Sequence, residues 1–318
     1  MTHNLCMLYS FVIMKENPEY PHNHEQNSQL LTPRVNDEYS QLIKVMVVSP
    51  PSVITSFNDL IVNPVQAFHS QGKEDVVEKK PLATQQYSKL LSLLKVLGIE
   101  LVYSNVKPGR AGHTPLFTRD VGIIIGDKVL PSVMKYEYRE GEVEGIKQNI
   151  SKKHIIKDSR PYTIEGGDFA LLSPNLALVG IGPRTNELSL DVLRDHFTKT
   201  EFVPVYPVHS DKAFHIDTVL GIVGKTTIVC IPEWIPNDII NLLRSKGYHL
   251  IEASKDEFTT CCTNVLAIGD KKVISAAENK KTNQTMRQNG IEVIEVELSD
   301  ILTQGGGPHC LTLPLVRN

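Results

Sequence analysis

Asp168-Phe169-Ala170-Leu171-Leu172-Ser173-Pro174-Asn175-Leu176-Ala177-Leu178-Val179 sets an acid in front of two apolar runs that are separated by three turn-forming residues. Short apolar runs around a turn predict a β-hairpin. A helical pattern beginning near Asn186 and an extended run over 201–206 then predict a return through a helix to a third strand.

The same order recurs on both sides. Asp120 precedes runs at 121–125 and 128–130 around Gly126-Asp127. Asp217 precedes runs at 218–223 and 227–231, a helical stretch at 237–246 and a strand at 248–251. Asn264 precedes runs at 265–268 and 273–276, a helix at 283–288 and a strand at 291–295. Cys310 opens a last apolar run at 311–316. These heads lie 48, 49, 47 and 46 residues apart (120 to 168, 168 to 217, 217 to 264, 264 to 310). A period of that length marks a propeller or another repeat array. The last strand lacks a partner, while the first segment (a strand from Lys44, a helix over 82–97 and a strand over 99–103) lacks a head. Joining them gives an α/β fold of five ββαβ units closed into a five-bladed propeller, with the heads converging on a central cavity and few free sheet edges.

Composition bounds the rest. The chain has 318 residues and a formal charge of -3, with no basic stripe, so nucleic acid and anionic membrane are not expected partners. No apolar run reaches the ~18 residues that cross a bilayer. The run Cys6 to Met14 has no preceding Lys or Arg and no cleavage-like small residues after it, so it is not read as a signal peptide. Five cysteines without a C-x-x-C pair favour a reducing, cytoplasmic setting over disulfides or zinc. Residues 1–38 are polar and lack a hydrophobic period, which predicts a mobile arm ahead of a single catalytic domain over 39–318. Homo-oligomerisation is left open by the sequence.

The converging heads would bring Asp120, Glu165, Asp168, His215, Asp217 and Cys310 to one cavity. Singly, each acid reads as a strand-end cap and the cysteine as a core residue. Together, several buried carboxylates require a cationic ligand. A guanidinium fits, because its N–H forks match carboxylates in two-point contacts. Its central carbon needs a strong nucleophile, and a thiolate beside a bound cation supplies one. His215 suits proton transfer near neutrality, and Glu165 is placed to orient it. Arg139 and Arg184 are the cations available to clamp a carboxylate at the far end of such a ligand. No metal or organic cofactor is required by this chemistry. Two look-alikes fail on spacing: 180–185 lacks the third glycine of a dinucleotide loop, and 224–226 lacks the first glycine of a phosphate loop.

Taken together, Phe-Thr-Arg-Asp at 117–120, Glu-Gly-Gly-Asp at 165–168, Gly182-x-Arg184-Thr185, His-Ile-Asp-Thr at 215–218 and Gly-Gly-Gly-x-His-Cys at 305–310 resemble the guanidino-group-modifying enzymes. This superfamily holds the arginine deiminases, the dimethylarginine dimethylaminohydrolases and the amidinotransferases, and shares a five-bladed α/β propeller, the pentein fold. The resemblance implies that Cys310 attacks the guanidinium carbon and His215 protonates the departing amine. It implies that Glu165 partners the histidine, Asp120 and Asp217 bind the guanidinium, Asp168 supports them, and Arg139 and Arg184 hold the substrate α-carboxylate. A hydrolase acting on arginine or an N-substituted arginine, through a Cys310 thiouronium adduct, is the leading expectation. An amidinotransferase is the alternative, and a non-catalytic binder of cationic amino acids a minor one.

Overall fold

The computed structural model describes residues 30–50, 65, 79–104, 106, 115–208 and 212–318. Within them the repeat appears as five small sheets. Strand β1 (Leu42–Val48) pairs parallel with β2 (Glu100–Ser104) through α1 (Lys79–Val96), and antiparallel with the last strand, β14 (Leu313–Arg317). The first and last strands of the described residues therefore share one sheet, the pairing expected from the unpartnered last strand. Helix α1 buries Ala83, Tyr87, Leu90, Leu91 and Leu94, an i, i+4, i+7, i+8, i+11 stripe. It stops at Gly98, whose φ of 77° is the left-handed value that ends helices.

The remaining sheets follow the predicted order. β3 (Gly122–Ile125) and β4 (Lys128–Pro131) form a hairpin that leads to α2 (Glu144–Asn149). β5 (Phe169–Ser173), β6 (Leu176–Gly180), α3 (Leu188–His196) and β7 (Glu201–Val205) make the next unit. β8 (Leu220–Gly224), β9 (Thr227–Cys230), α4 (Asn237–Ser245) and β10 (His249–Glu252) make another. β11 (Leu266–Gly269), β12 (Lys272–Ala276), α5 (Lys280–Gln288) and β13 (Glu292–Val296) complete the series before the short α6 (Ser299–Leu302). In each three-stranded unit the hairpin is antiparallel and the strand after the helix returns parallel. The unit headed by Asp120 departs from this, because its return is one parallel bridge, Val129 to Ile155, instead of a strand.

Neighbouring sheets share their cores. One buried cluster joins Leu178, Ile222, Val229 and Val273 from three successive units; another joins Val45, Leu266 and Ile274; a third joins Ile123, Leu171 and Leu313. Each fully buried aliphatic side chain contributes roughly 1.5–3 kcal/mol.

Two expectations are corrected. The stretch expected as a mobile arm up to 38 is anchored over its described part, residues 30–38. Leu31 bridges to Ile150, Arg34 to Val316 and Val35 to Gly126, and Glu38 is buried. These single bridges carry no alternating pattern, so the sequence signal there is weak; residues 1–29, with the 6–14 run, lie outside the described residues. The last strand begins at Leu313, not directly after Cys310. Leu311 N–H bonds to Gly307 O and Thr312 N–H to His309 O, so the cysteine sits in a turn ahead of the strand. Gly305, Gly306 and Gly307 are buried, which makes this loop a packed element.

Candidate active site

Three heads are single 3-10 turns, Thr118–Val121, Gly166–Asp168 and Ile216–Thr218, each placed directly ahead of a hairpin. Neighbouring heads touch in sequence. Gly166 lies so close to the Arg119 carbonyl that a Cβ would overlap it. Asp168 Oδ1 accepts from Ile216 N–H at 3.0 Å, and the Thr263 hydroxyl donates to Asp217 O at 3.2 Å. Asn264 Nδ2 donates to Cys310 Sγ at 2.9 Å, and Arg119 N–H donates to Cys310 O at 3.1 Å, which returns the circuit to the first head.

The acids, the histidine and the thiol singled out in the sequence are all buried and meet here. His215 Nε2 lies 2.9 Å from Glu165 Oε2, while Nδ1 stands 3.7 Å from Asp120 Oδ1. Gly167 makes this arrangement possible, since a Cβ there would come within 2.5 Å of His215 Nδ1 and 2.8 Å of Asp120 Oδ1. Burial works against a charged His215 ring, but Asp120, Asp168 and Glu165 outweigh it and raise its pKa to about 9. Burial also tends to raise Glu165; the His215 hydrogen bond and the guanidinium groups of Arg139 and Arg184 hold it well below the usual carboxylate range. Asp168 is pushed up to about 7, chiefly by burial. It lies on Ile216 N–H and the Thr185 hydroxyl.

Cys310 Sγ lies 3.1 Å from Asp217 Oδ2. Burial, followed by the charges of Asp217 and Asp120, pushes this thiol well above its ordinary pKa, so it is protonated at rest. His309 places Nδ1 3.0 Å from Asp217 Oδ2 and Nε2 2.9 Å from Glu38 Oε2. The ring thus bridges the two carboxylates. Asp217 stays below its ordinary value: burial acts to raise it, and the bond and charge of His309 dominate. Glu38 is likewise drawn down to about 2 against its burial, by Arg119 and His309.

Arg139 is not placed as expected. Its Nε and Nη2 grip Glu142 at 3.0 and 2.8 Å, Nη2 also reaches Asp120 Oδ2 at 3.0 Å, and Nη1 reaches Glu165 Oε2 at 3.3 Å. Glu142, three residues on in the same turn, takes the fork that was assigned to a ligand carboxylate. Arg184 meets Glu165 Oε2 through Nη1 at 3.1 Å and stacks over Tyr136, 4.7 Å from the ring centre. Asp120, Glu165 and His215 also lie close enough together to gather around a metal ion. Arg139 already supplies a permanent cation to both of those carboxylates, so a dication there would face an adjacent guanidinium.

Glu38, His309 and Asn264 were not among the sequence-derived site residues. His309 had a signal in its place beside Cys310. Asn264 had one in heading a unit, but it carries no titratable group. Glu38 had none, since its partner lies far away in the chain. The cysteines at 230, 261, 262 and 310 are free, and among the described residues no helix is long and apolar enough to cross a membrane.

The geometry can be set beside known proteins. The family model described as N,N dimethylarginine dimethylhydrolase, eukaryotic, matches residues 56–317. The chain is 33% identical over 285 residues to the uncharacterized protein YkgA of Bacillus subtilis (strain 168), covering 88% of this chain and 94% of that one. It is 27% identical over 252 residues to an arginine deiminase of Borrelia recurrentis (strain A1), covering 64% of this chain and 60% of the deiminase, so it spans little more than half the length of that enzyme. In three dimensions it is similar to SxtG, an amidinotransferase from Microseira wollei, with a TM-score of 0.73 at 17% identity, covering 91% of this chain and 98% of that one. At that identity the likeness is one of fold.

Proposed function

The chain belongs to the N,N-dimethylarginine dimethylhydrolase family and is a guanidino-group-modifying enzyme; on that premise we propose that it hydrolyses the guanidino group of arginine or an N-substituted arginine, giving citrulline plus ammonia or an amine. The observation that carries this reading is a pair of buried acceptors. Among the described residues, Asp120 Oδ1 and Asp217 Oδ1 have no hydrogen-bond partner, and both carboxylates act on the Cys310 thiol. Buried, unpaired carboxylate oxygens are costly, and a planar cation with several N–H groups satisfies them together.

A guanidinium docked on these oxygens cancels the two charges that help keep the thiol protonated. The thiol then releases its proton to solvent, and Sγ attacks the central carbon. Charged His215, held by Glu165 through Nε2, donates from Nδ1 to the departing amine as the C–N bond breaks. A thiouronium adduct remains. Neutral His215 next takes a proton from water, the hydroxide adds to the same carbon, and the C–S bond breaks to release the thiolate and, as the proton on the new oxygen passes to solvent, the ureido product. Asp168 buttresses the histidine turn through Ile216. We assign the substrate α-carboxylate to Arg184, and to Arg139 the task of holding Asp120, Glu142 and Glu165 in place.

The proposal includes the five-bladed propeller as the scaffold, supported by the five sheets and the circuit of head contacts. It also includes one catalytic domain from about residue 30, a small-molecule partner, and a reducing, cytoplasmic setting that keeps the nucleophile free. The test is product analysis by mass spectrometry after incubation with L-arginine, and separately with dimethylarginine, each with and without glycine. Citrulline in the absence of glycine is the expected result. Ornithine plus guanidinoacetate appearing only with glycine would make the enzyme an amidinotransferase and overturn the hydrolase reading.

A further inference from the structure

Asn264 heads the fourth unit, has no titratable group, and is 1% exposed. Its side chain is committed at both ends to the residue that carries the nucleophile. Nδ2 donates to Cys310 Sγ at 2.9 Å. Oδ1 accepts from the Cys310 backbone N–H at 3.0 Å and from Gly307 N–H at 2.9 Å. The backbone is fixed too: Asn264 N–H donates to Cys261 O at 3.0 Å, and Gly307 packs so tightly that a Cβ there would come within 2.9 Å of Asn264 O. The donor is therefore held at a defined place relative to the sulfur.

The two contacts to Sγ differ in kind. Asp217 Oδ2 is an acceptor and favours the thiol, whose S–H points to it. The Asn264 amide is a donor, and a donor gains strength when the sulfur becomes an anion. We propose that Asn264 stabilises the Cys310 thiolate through Nδ2–H while Oδ1 fixes the loop that aims it. The inference rests on the nucleophilic role given to Cys310 above. The thiolate arises twice in that mechanism, before attack on the guanidinium carbon and again when the C–S bond breaks, and the same N–H meets it both times.

The test needs no substrate. Iodoacetamide alkylates Cys310 as the thiolate displaces iodide, and the modified Cys310 peptide is followed by mass spectrometry across pH. Asp217, Asp120 and Cys261 face the sulfur, and His309 faces Asp217; all are retained in Asn264 variants. Both Asn264→Ala and Asn264→Asp are expected to raise the pH midpoint by about one unit or more, or to slow alkylation at fixed pH about tenfold, the size of one hydrogen bond to a charged group. The Ala variant separates loss of the donor from gain of a charge. An Ala midpoint equal to that of the unaltered protein would overturn the proposal. Should the Ala variant not fold, the unaltered protein labelled with 15N-asparagine provides the reading: one side-chain amide signal shifts when Cys310 is alkylated, and a spectrum without such a shift overturns it. The expected alkylation shift in an enzyme that turns over no guanidine would sink the hydrolase reading and leave the role of Asn264 standing.

Discussion

Asp120, Glu142 and Glu165 on the histidine side of the site and Asp217 on the thiol side are all buried carboxylates, yet they are neutralised differently. The first three share the guanidinium groups of Arg139 and Arg184, permanent cations with fixed forks. Asp217 has no arginine partner in these contacts; His309 and the Cys310 thiol face it instead, at 3.0 and 3.1 Å. In the proposed mechanism the acids on the histidine side therefore keep their arginine partners through a cycle, while the acid on the thiol side sees its partner lose and regain a proton. In the proposed mechanism a cation arriving between Asp120 and Asp217 shifts the balance at sulfur.

The comparison is broken most severely at Cys310. Cys310→Ser is expected to lower turnover by about a thousandfold or more, with ligand binding largely retained, because the hydroxyl is a far weaker nucleophile. A serine variant with undiminished steady-state turnover would move the chemistry to the histidine side. Next in size is Asp217→Asn, which separates docking from thiol chemistry. Turnover should fall about a hundredfold with the loss of a guanidinium contact. Alkylation of Cys310 at fixed pH should accelerate, since a charge that holds the thiol protonated is gone. Deceleration of both would mean that Asp217 does not set the state of the thiol.

A third expectation uses pH. His215 has a folded pKa of about 9 against an ordinary 6.5. The stability it contributes is fully present below 6.5 and is lost as pH rises through 9, an effect of a few kcal/mol at most. Thermal melting should therefore decline between pH 7 and 10, and His215→Gln should flatten that decline. An unchanged slope in the variant would deny the histidine its charged state. The smallest effect is steric. Gly167→Ala places a methyl against His215 and Asp120 and should cost about 1–3 kcal/mol, whereas Gly182→Ala, with nothing within 4 Å of the new Cβ, should be nearly neutral. Equal melting temperatures would mean that the glycine is not needed for the close approach.

The hairpins, the helices and the spacing of their heads were legible in the sequence because they are local. A short apolar run, a helical period and a turn residue each lie within a dozen positions, and their recurrence at 46–49 residues aligned Asp120, Asp168, Asp217, Asn264 and Cys310. That alignment sufficed to collect the thiol, the histidine and the acids. What escaped was the pairing among them. Arg139 read as a clamp for a ligand because nothing in the pattern shows that Glu142 closes on it within one turn. Glu38 contacts His309 across 271 positions, and Asn264 contacts Cys310 across 46, through side-chain bonds that leave no period. The segment at 30–38 joins the body by isolated bridges, which need no alternation to form.

The central claim is that Cys310 becomes covalently attached to the substrate carbon during hydrolysis. Acid quenching of the enzyme during turnover of the guanidine it hydrolyses, followed by mass spectrometry of the Cys310 peptide, tests it most directly. The expected result is a thiouronium adduct on Cys310 that disappears when substrate is exhausted. Citrulline release with Cys310 unmodified at every time point, together with turnover retained in Cys310→Ser, would contradict the account.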